Sequence, residues 1–364
     1  MTACLSPNGL NRYDVAEAPR RLFVATAEGV AILRRNDRSW AVESTGLSGK
    51  HISSLLFDAS TGALFAGVHG GGLYRSDDEG HTWRERMNGI TSDHVYSLMS
   101  IREDGHTVLY AGTEPARLFR SDDQGDTWRE LPSLRDVPET DKWMFPAPPH
   151  AAHMKSLAID PRSPSTLYAG IEQGALLLST DAGATWTELD GYARPDDEVY
   201  KDIHLVMLRP SNPDEIFMTA GMGLYHSADR GQSWEHLSTR RARVGYPDQF
   251  QFAPGDDSVM FMAGAATNPG TWRQSHHAQS TVMRSTDAGR TWQEKSEGLP
   301  APLRDNIEAM ALAAAPGGYE LYIGTTDGDV YASADAAEHW TLIGSGLAPI
   351  SKGGHYVPLA KPAA

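Results

Sequence analysis

Short runs of alternating apolar and polar residues recur along this chain, each broken by Gly, Pro, Asp or Asn. Alternation with a period of two puts successive side chains on opposite faces of a strand. His51 to Phe57, Ala63 to Gly67 and Leu73 to Arg75 read as three consecutive strands, with a fourth running on from Trp83. The same four-strand layout repeats down the chain, and no apolar run is long enough to suggest an extended helix.

A polar string punctuates each repeat. Leu73 to Trp83 reads LYRSDDEGHTW, and Leu118 to Trp128 reads LFRSDDQGDTW. Further copies run from Leu176 to Trp186, Leu224 to Trp234 and Val282 to Trp292. A weaker one spans Val330 to Trp340, with Ala337 where the others have Gly, and Trp40 ends a degenerate one. In the shared core Ser-x-Asp-x-Gly-x-Thr/Ser-Trp, the Asp can accept from backbone N–H groups and close a turn. The Gly suits a positive φ, and the Trp opens the next strand. The repeat Trps stand 43 to 58 residues apart, the period of a propeller blade.

This string resembles the Asp-box, or BNR repeat, of sialidases, sortilin-like receptors and xyloglucanases. The resemblance covers nearly the whole chain and implies a structural hairpin rather than a catalytic site. Seven Trps then predict an all-β fold, a seven-bladed β-propeller with four-stranded blades. Residues 1–364 are expected to form a single domain. The first blade has strands at Arg21 to Thr26, Val30 to Arg34 and from Trp40, but no clear innermost strand precedes them. Residues 355–360 are expected to supply it, so that the C-terminal strand joins blade 1 and closes the propeller.

Composition narrows the function classes. The 364 residues carry 35 Gly and 22 Pro, as many tight turns require, and a net charge of −15, which disfavours a nucleic-acid partner. No stretch approaches the length of a membrane span, so no membrane partner is expected. The single Cys4 excludes an internal disulfide framework. The first 21 residues lack the layout of a signal peptide, which makes a cytoplasmic location the simplest expectation.

The long insertions, Leu131 to Ala152, Asp190 to Tyr200 and Ala265 to Thr281, all fall on one face, where the innermost strands begin. Long loops carry function more often than short ones. Aligning the first residue of each innermost strand gives His355, His51, His94, His153, Asp202, Tyr246 and Asn306 for blades 1 to 7. The ends of the second strands match as His69, Glu114 and Glu172. Two residues into the innermost strands come Lys155, His204 and Glu308.

Converging imidazoles backed by carboxylates outline a divalent transition-metal site. His51, His94, His153 and His355 are the expected ligands, for Mn, Fe, Zn, Cu or Ni without distinction. Glu114, Glu172, Lys155, His204 and Tyr246 are the candidate catalytic groups. Trp143, Trp272, His69, Asp202 and Asn306 are placed at substrate, with Tyr192 and Tyr200 as further loop aromatics. His276 and His277 read as loop residues.

The reading that uses the histidines is a metal-dependent enzyme acting on a small polar, sugar-like or aromatic molecule by lyase, hydratase or oxygenase chemistry. Seven-bladed propellers with several His on a metal occur among uronate lyases and carotenoid-cleaving oxygenases, a likeness of fold alone. The repeat's resemblance implies a sialidase- or xyloglucanase-like glycoside hydrolase instead. Arg20-Arg21 matches the sialidase arginine motif poorly, and xyloglucanases pair two propellers where one is present here. A third reading is a non-enzymatic protein-binding propeller, like the photosystem assembly factor that shares the repeat.

Overall fold

The computed structural model describes residues 2–9, 11–37, 39–193, 201–315 and 317–352. Among them strands form seven sheets, the blades of an all-β, seven-bladed propeller. The described residues fall into two compact units.

The central unit, residues 53–237 with Asn8 and Gly9, holds blades 2 to 5. Blade 3 is representative: His94–Glu103, His106–Glu114, Leu118–Ser121 and Arg129–Glu130 pair antiparallel in chain order. Blade 4 follows as His153–Ile159, Leu167–Glu172, Leu176–Ser179 and Thr187–Glu188. Strands buried on both faces, such as Leu167–Glu172, are near-continuously apolar because neighbouring blades cover each side. Leu118, Leu131, Leu134, Met154, Leu167 and Ile171 share one such core between blades 3 and 4.

The terminal unit holds blades 6, 7 and 1. The strand expected from residues 355–360 lies outside the described residues. The inner edge of blade 1 is taken by Thr2–Leu5, which pairs parallel to Arg21–Thr26 with Thr2 opposite Arg21 and Leu5 opposite Val24. Its short Ala-Cys-Leu run is fully buried. A second N-terminal strand, Arg12–Asp14, adds parallel to Ile307–Ala315 and makes blade 7 five-stranded. Both strands lie in a stretch whose sequence showed no strand. Parallel pairing takes no hairpin, so no turn signal marks them.

The repeated string forms the same turn each time. In blade 3 the Ser121 hydroxyl donates to Asp123 Oδ1 (2.8 Å) and accepts from Gly125 N–H (2.9 Å). Asp123 accepts from Thr127 N–H (2.9 Å) and from the Thr127 hydroxyl (2.5 Å). The Asp thus clamps a residue four positions on. Gly125 sits at φ +82°. Ala337 replaces that Gly in the last copy and takes φ +66°, yet its N–H still reaches Ser333 Oγ at 3.0 Å. The bonds among Ser333, Asp335 and His339 hold the residue at a positive φ that the motif alone would disfavour.

No helix among the described residues is long and apolar enough to cross a membrane.

Candidate functional site

Register confirms the sequence alignment of blades 3 and 4. His94 pairs with Glu114 and His153 with Glu172, the same step in each sheet. Glu172 also bridges to Asp202 at the start of blade 5. In five blades the innermost strand then skips one residue of register: Tyr96, Lys155, His204, Asp248 and Glu308 are the skipped positions. A bulge turns the extra residue away from the ladder and re-aims its side chain. The polar clusters of both units draw in these bulged residues, Lys155 and His204 in one and Asp248 and Glu308 in the other.

In the central unit they form a row. His69 and His94 meet edge-to-face, ring centres 4.5 Å apart, with their Nδ1 atoms at 3.4 Å. The donor atoms of His69, His94 and Glu114 all lie within 4.8 Å of one another. Asp93 Oδ1 is 3.5 Å from His94 Nε2. Next comes His153, fully buried and stacked on Tyr96 at 3.9 Å. Its Nδ1 faces Glu114 Oε2 at 3.4 Å and its Nε2 faces Glu172 Oε2 at 2.5 Å. Lys155 Nζ donates to Glu172 Oε1 at 3.0 Å. His204 Nε2 lies 3.5 Å from Asp202 and 4.0 Å from Glu172.

The electrostatics follow from this packing. Burial works to lower the His153 pKa, but the charges of Glu172 and Glu114 and their hydrogen bonds prevail, and the pKa is raised. Burial likewise works to raise the pKa of Glu114; hydrogen bonding to His153 and the neighbouring imidazoles outweigh it, so the pKa is lowered. Glu114 is only 3% exposed, yet its Oε1 has no hydrogen-bond partner among the described residues.

The row opens outward at Glu114. A cavity of about 680 Å³ is lined by Ser92, Asp93, His94, Glu114, Arg117, Glu130 and Arg135, among others. A second of about 310 Å³ shares Pro115, Arg117, Arg135 and Ala151 with it and adds Leu134, Thr140 and Trp143. Together they make a groove with carboxylates at one end and the half-buried Trp143 at the other. Glu130 sits between the two arginines, 3.1 Å from Arg117 and 3.1 Å from Arg135.

In the terminal unit the equivalent residues form a closed network. Lys352 Nζ donates to Asp248 Oδ1 at 2.8 Å, and its N–H donates to Glu308 Oε2 at 2.9 Å. Asn306 Nδ2 donates to Asp248 Oδ2 (2.9 Å) and Glu308 Oε1 (3.2 Å). Burial raises the Glu308 pKa, Lys352 opposes it, and Asp248 adds to it. Tyr246 is buried, with Lys352 Nζ 5.6 Å from its ring centre.

The four expected metal ligands therefore have different surroundings. His94 joins His69 and Glu114. Both nitrogens of His153 face carboxylates, so neither points to a point shared with His94, and Tyr96 stands against its ring. His51 belongs to the terminal unit, where its Nε2 lies 3.0 Å from Ser351 O. His355 lies outside the described residues.

Of the expected catalytic groups, Glu114 alone lines a described cavity. Glu172, Lys155, His204 and Tyr246 are enclosed, as are Asp202 and Asn306. Trp272, on the helix Pro269–Ser275, is 1% exposed and packs on Ala265 and Ala278, so its ring offers no face to a substrate. Tyr192 is buried between Tyr225 and Trp234; Tyr200 lies outside the described residues. Sequence reasoning missed Asp93, Arg117, Glu130, Arg135, Asp248 and Lys352. Asp248 occupies the same step as Lys155 and His204, so extending that alignment to blade 6 finds it. The others carry no positional signal.

This fold and its row of strand-end carboxylates and imidazoles define a β-propeller with its polar groups gathered where the innermost strands begin. The chain belongs to the DUF6242 beta propeller domain family, whose model matches residues 15–317. It is similar to the xyloglucanase Xgh74A of Acetivibrio thermocellus, 25% identical over 226 residues. That match takes in 52% of this chain and a quarter of the enzyme's length. Among solved structures it resembles the GH74 xyloglucanase of Xanthomonas campestris (20% identity, TM-score 0.57), covering 80% of this chain and 45% of that one. It also resembles YCF48 bound to D1 peptide (15% identity, TM-score 0.57), covering 91% and 95%. At these identities the structural likeness establishes the fold.

Proposed function

We propose that this chain is a glycoside-hydrolase-like propeller that takes an oligosaccharide into the groove of the central unit. The observation that carries the reading is the groove itself. The half-buried Trp143 lines one end, an aromatic of the kind sugar recognition uses. Arg117 and Arg135, each held by Glu130, bring guanidinium groups along it, and Asp93, Glu114 and Glu130 bring carboxylates to the other end. Cleaving a glycosidic bond needs two carboxyl groups, one acid and one base or nucleophile; these three are the lining carboxylates from which such a pair is drawn.

The xyloglucanase relatives favour this class over the metal-dependent lyase, hydratase or oxygenase expected from the histidines. Because the match spans a quarter of that relative, the substrate of the whole enzyme is carried over only as a class: a β-linked glucan oligosaccharide. The test is to incubate the full chain with xyloglucan and cello-oligosaccharides and follow new reducing ends. Cleavage lost in Asp93→Asn or Glu130→Gln supports the reading. Neither cleavage nor binding of any glucan would overturn it, and would favour the groove as a docking site for an extended protein segment.

A further inference from the structure

We propose that His69, His94 and Glu114 bind one divalent transition-metal ion beside the larger cavity, which His94 and Glu114 line. Two imidazoles and a carboxylate are a borderline donor set suited to Zn²⁺ or its neighbours. Nitrogens each about 2.0–2.1 Å from a tetrahedral ion stand roughly 3.3–3.4 Å apart. The Nδ1 atoms of His69 and His94 are 3.4 Å apart, which is long for a hydrogen bond between two rings set edge-to-face. One donor atom from each of the three residues already lies within 4.8 Å of the other two.

Glu114 supplies an independent observation. Its Oε2 lies 3.4 Å from His153 Nδ1, while Oε1 is buried with no hydrogen-bond partner among the described residues. A buried acceptor left unsatisfied is costly and asks for an explanation; an ion between Oε1 and the two imidazoles provides one. An acidic side chain stands on the outer side of the ring: Asp93 Oδ1 lies 3.5 Å from His94 Nε2 and adds negative charge there. The nearby guanidinium groups of Arg117 and Arg135 are engaged by Glu130. His69 and His94 are half-buried, so the ion would keep positions open to water or to a molecule in the groove.

The other three-donor group, Glu172, Asp202 and His204, is a poor host. It is fully buried, and the Lys155 ammonium 3.0 Å from Glu172 already supplies its positive charge. The proposed site shares only His94 with the four-histidine set expected from the sequence.

The test needs no sugar and so stands apart from the glycan reading. The full chain, free of any tag and stripped with chelator, is titrated with Zn²⁺ by calorimetry and with Co²⁺ by visible absorption. One ion per chain is expected, with a cobalt ligand-field band. His69→Ala and His94→Ala should each weaken binding at least about a hundredfold, above the cost of losing an outer-shell partner. His204→Ala and His51→Ala should bind as wild type. Because Glu114→Gln also disturbs His153, the two partly exposed histidines carry the test. No ion bound by wild type, unchanged binding in His69→Ala and His94→Ala, or loss confined to His204→Ala would each overturn the proposal.

Discussion

Nε2 of His153 lies 2.5 Å from Oε2 of Glu172, both side chains being essentially sealed from solvent. Glu172 holds Lys155 with its other oxygen. One carboxylate therefore serves two buried basic groups, and removing it strands both. Glu172→Ala should cost about 3–5 kcal/mol, the range for breaking a buried ion pair from one side. Urea unfolding monitored by tryptophan fluorescence measures it. A loss under about 1 kcal/mol would mean that the cluster is hydrated and not sealed.

Lys352 plays the converse part in the terminal unit, where one ammonium faces Asp248 and its backbone N–H caps Glu308. Lys352→Ala leaves Asp248 without its cation and should also cost about 3–5 kcal/mol. Replacing Lys352 by Met and Asp248 by Asn together should recover part of that, since apolar or neutral replacements of both partners avoid an orphaned charge. A double variant no better than Lys352→Ala in the same unfolding assay would contradict this.

The repeated turn is expected to be structural. Ser121 is buried and is the acceptor for Gly125 N–H. Ser121→Ala should cost about 1–3 kcal/mol, the range for an unsatisfied buried donor, while leaving groove ligands bound as in wild type. Loss of binding at unchanged stability would place function in the turn.

The turn aspartates set an acid limb. Hydrogen bonds from Thr82, Thr185, Ser233 and Thr291 hold Asp78, Asp181, Asp229 and Asp287 at about 2, down from 3.8. A carboxyl with a depressed folded pKa contributes stability above its unfolded pKa and loses it as pH falls through the folded one. Melting temperature should therefore decline between about pH 4 and pH 2. Carboxyl-carbon NMR should give titration midpoints near 2 for these four; midpoints near 3.8 would show that the turns do not hold their aspartates.

Legibility in the sequence followed the physics of each feature. The Ser-x-Asp-x-Gly-x-Thr-Trp turn is local, so its string alone gave the blade count. The matched step of His94 with Glu114 and His153 with Glu172 followed from aligning strand ends. What the alignment could not show was direction. A bulge at Tyr96 and Lys155 re-aims the side chains around each His, and His153 ends between two carboxylates instead of beside His94. Thr2–Leu5 and Arg12–Asp14 were missed because parallel strands without a hairpin leave no turn signal. Lys352 was missed because its partners are distant in sequence. Trp272, read as an exposed loop ring, sits on a helix capped by Asn268 and is buried against Ala265 and Ala278.

The groove from Trp143 to Glu114 is the centre of this account, and glucan binding tests it most directly. Titrating a xyloglucan oligosaccharide into the full chain by calorimetry should show saturable binding. Trp143→Ala should weaken it by roughly 1–3 kcal/mol in binding free energy, the amount expected for losing one aromatic stacking surface and its buried area. Trp272→Phe, which alters only a buried ring, should leave the affinity unchanged. Saturable binding that Trp143→Ala leaves intact, or no binding to any glucan, would contradict the groove as the site of action.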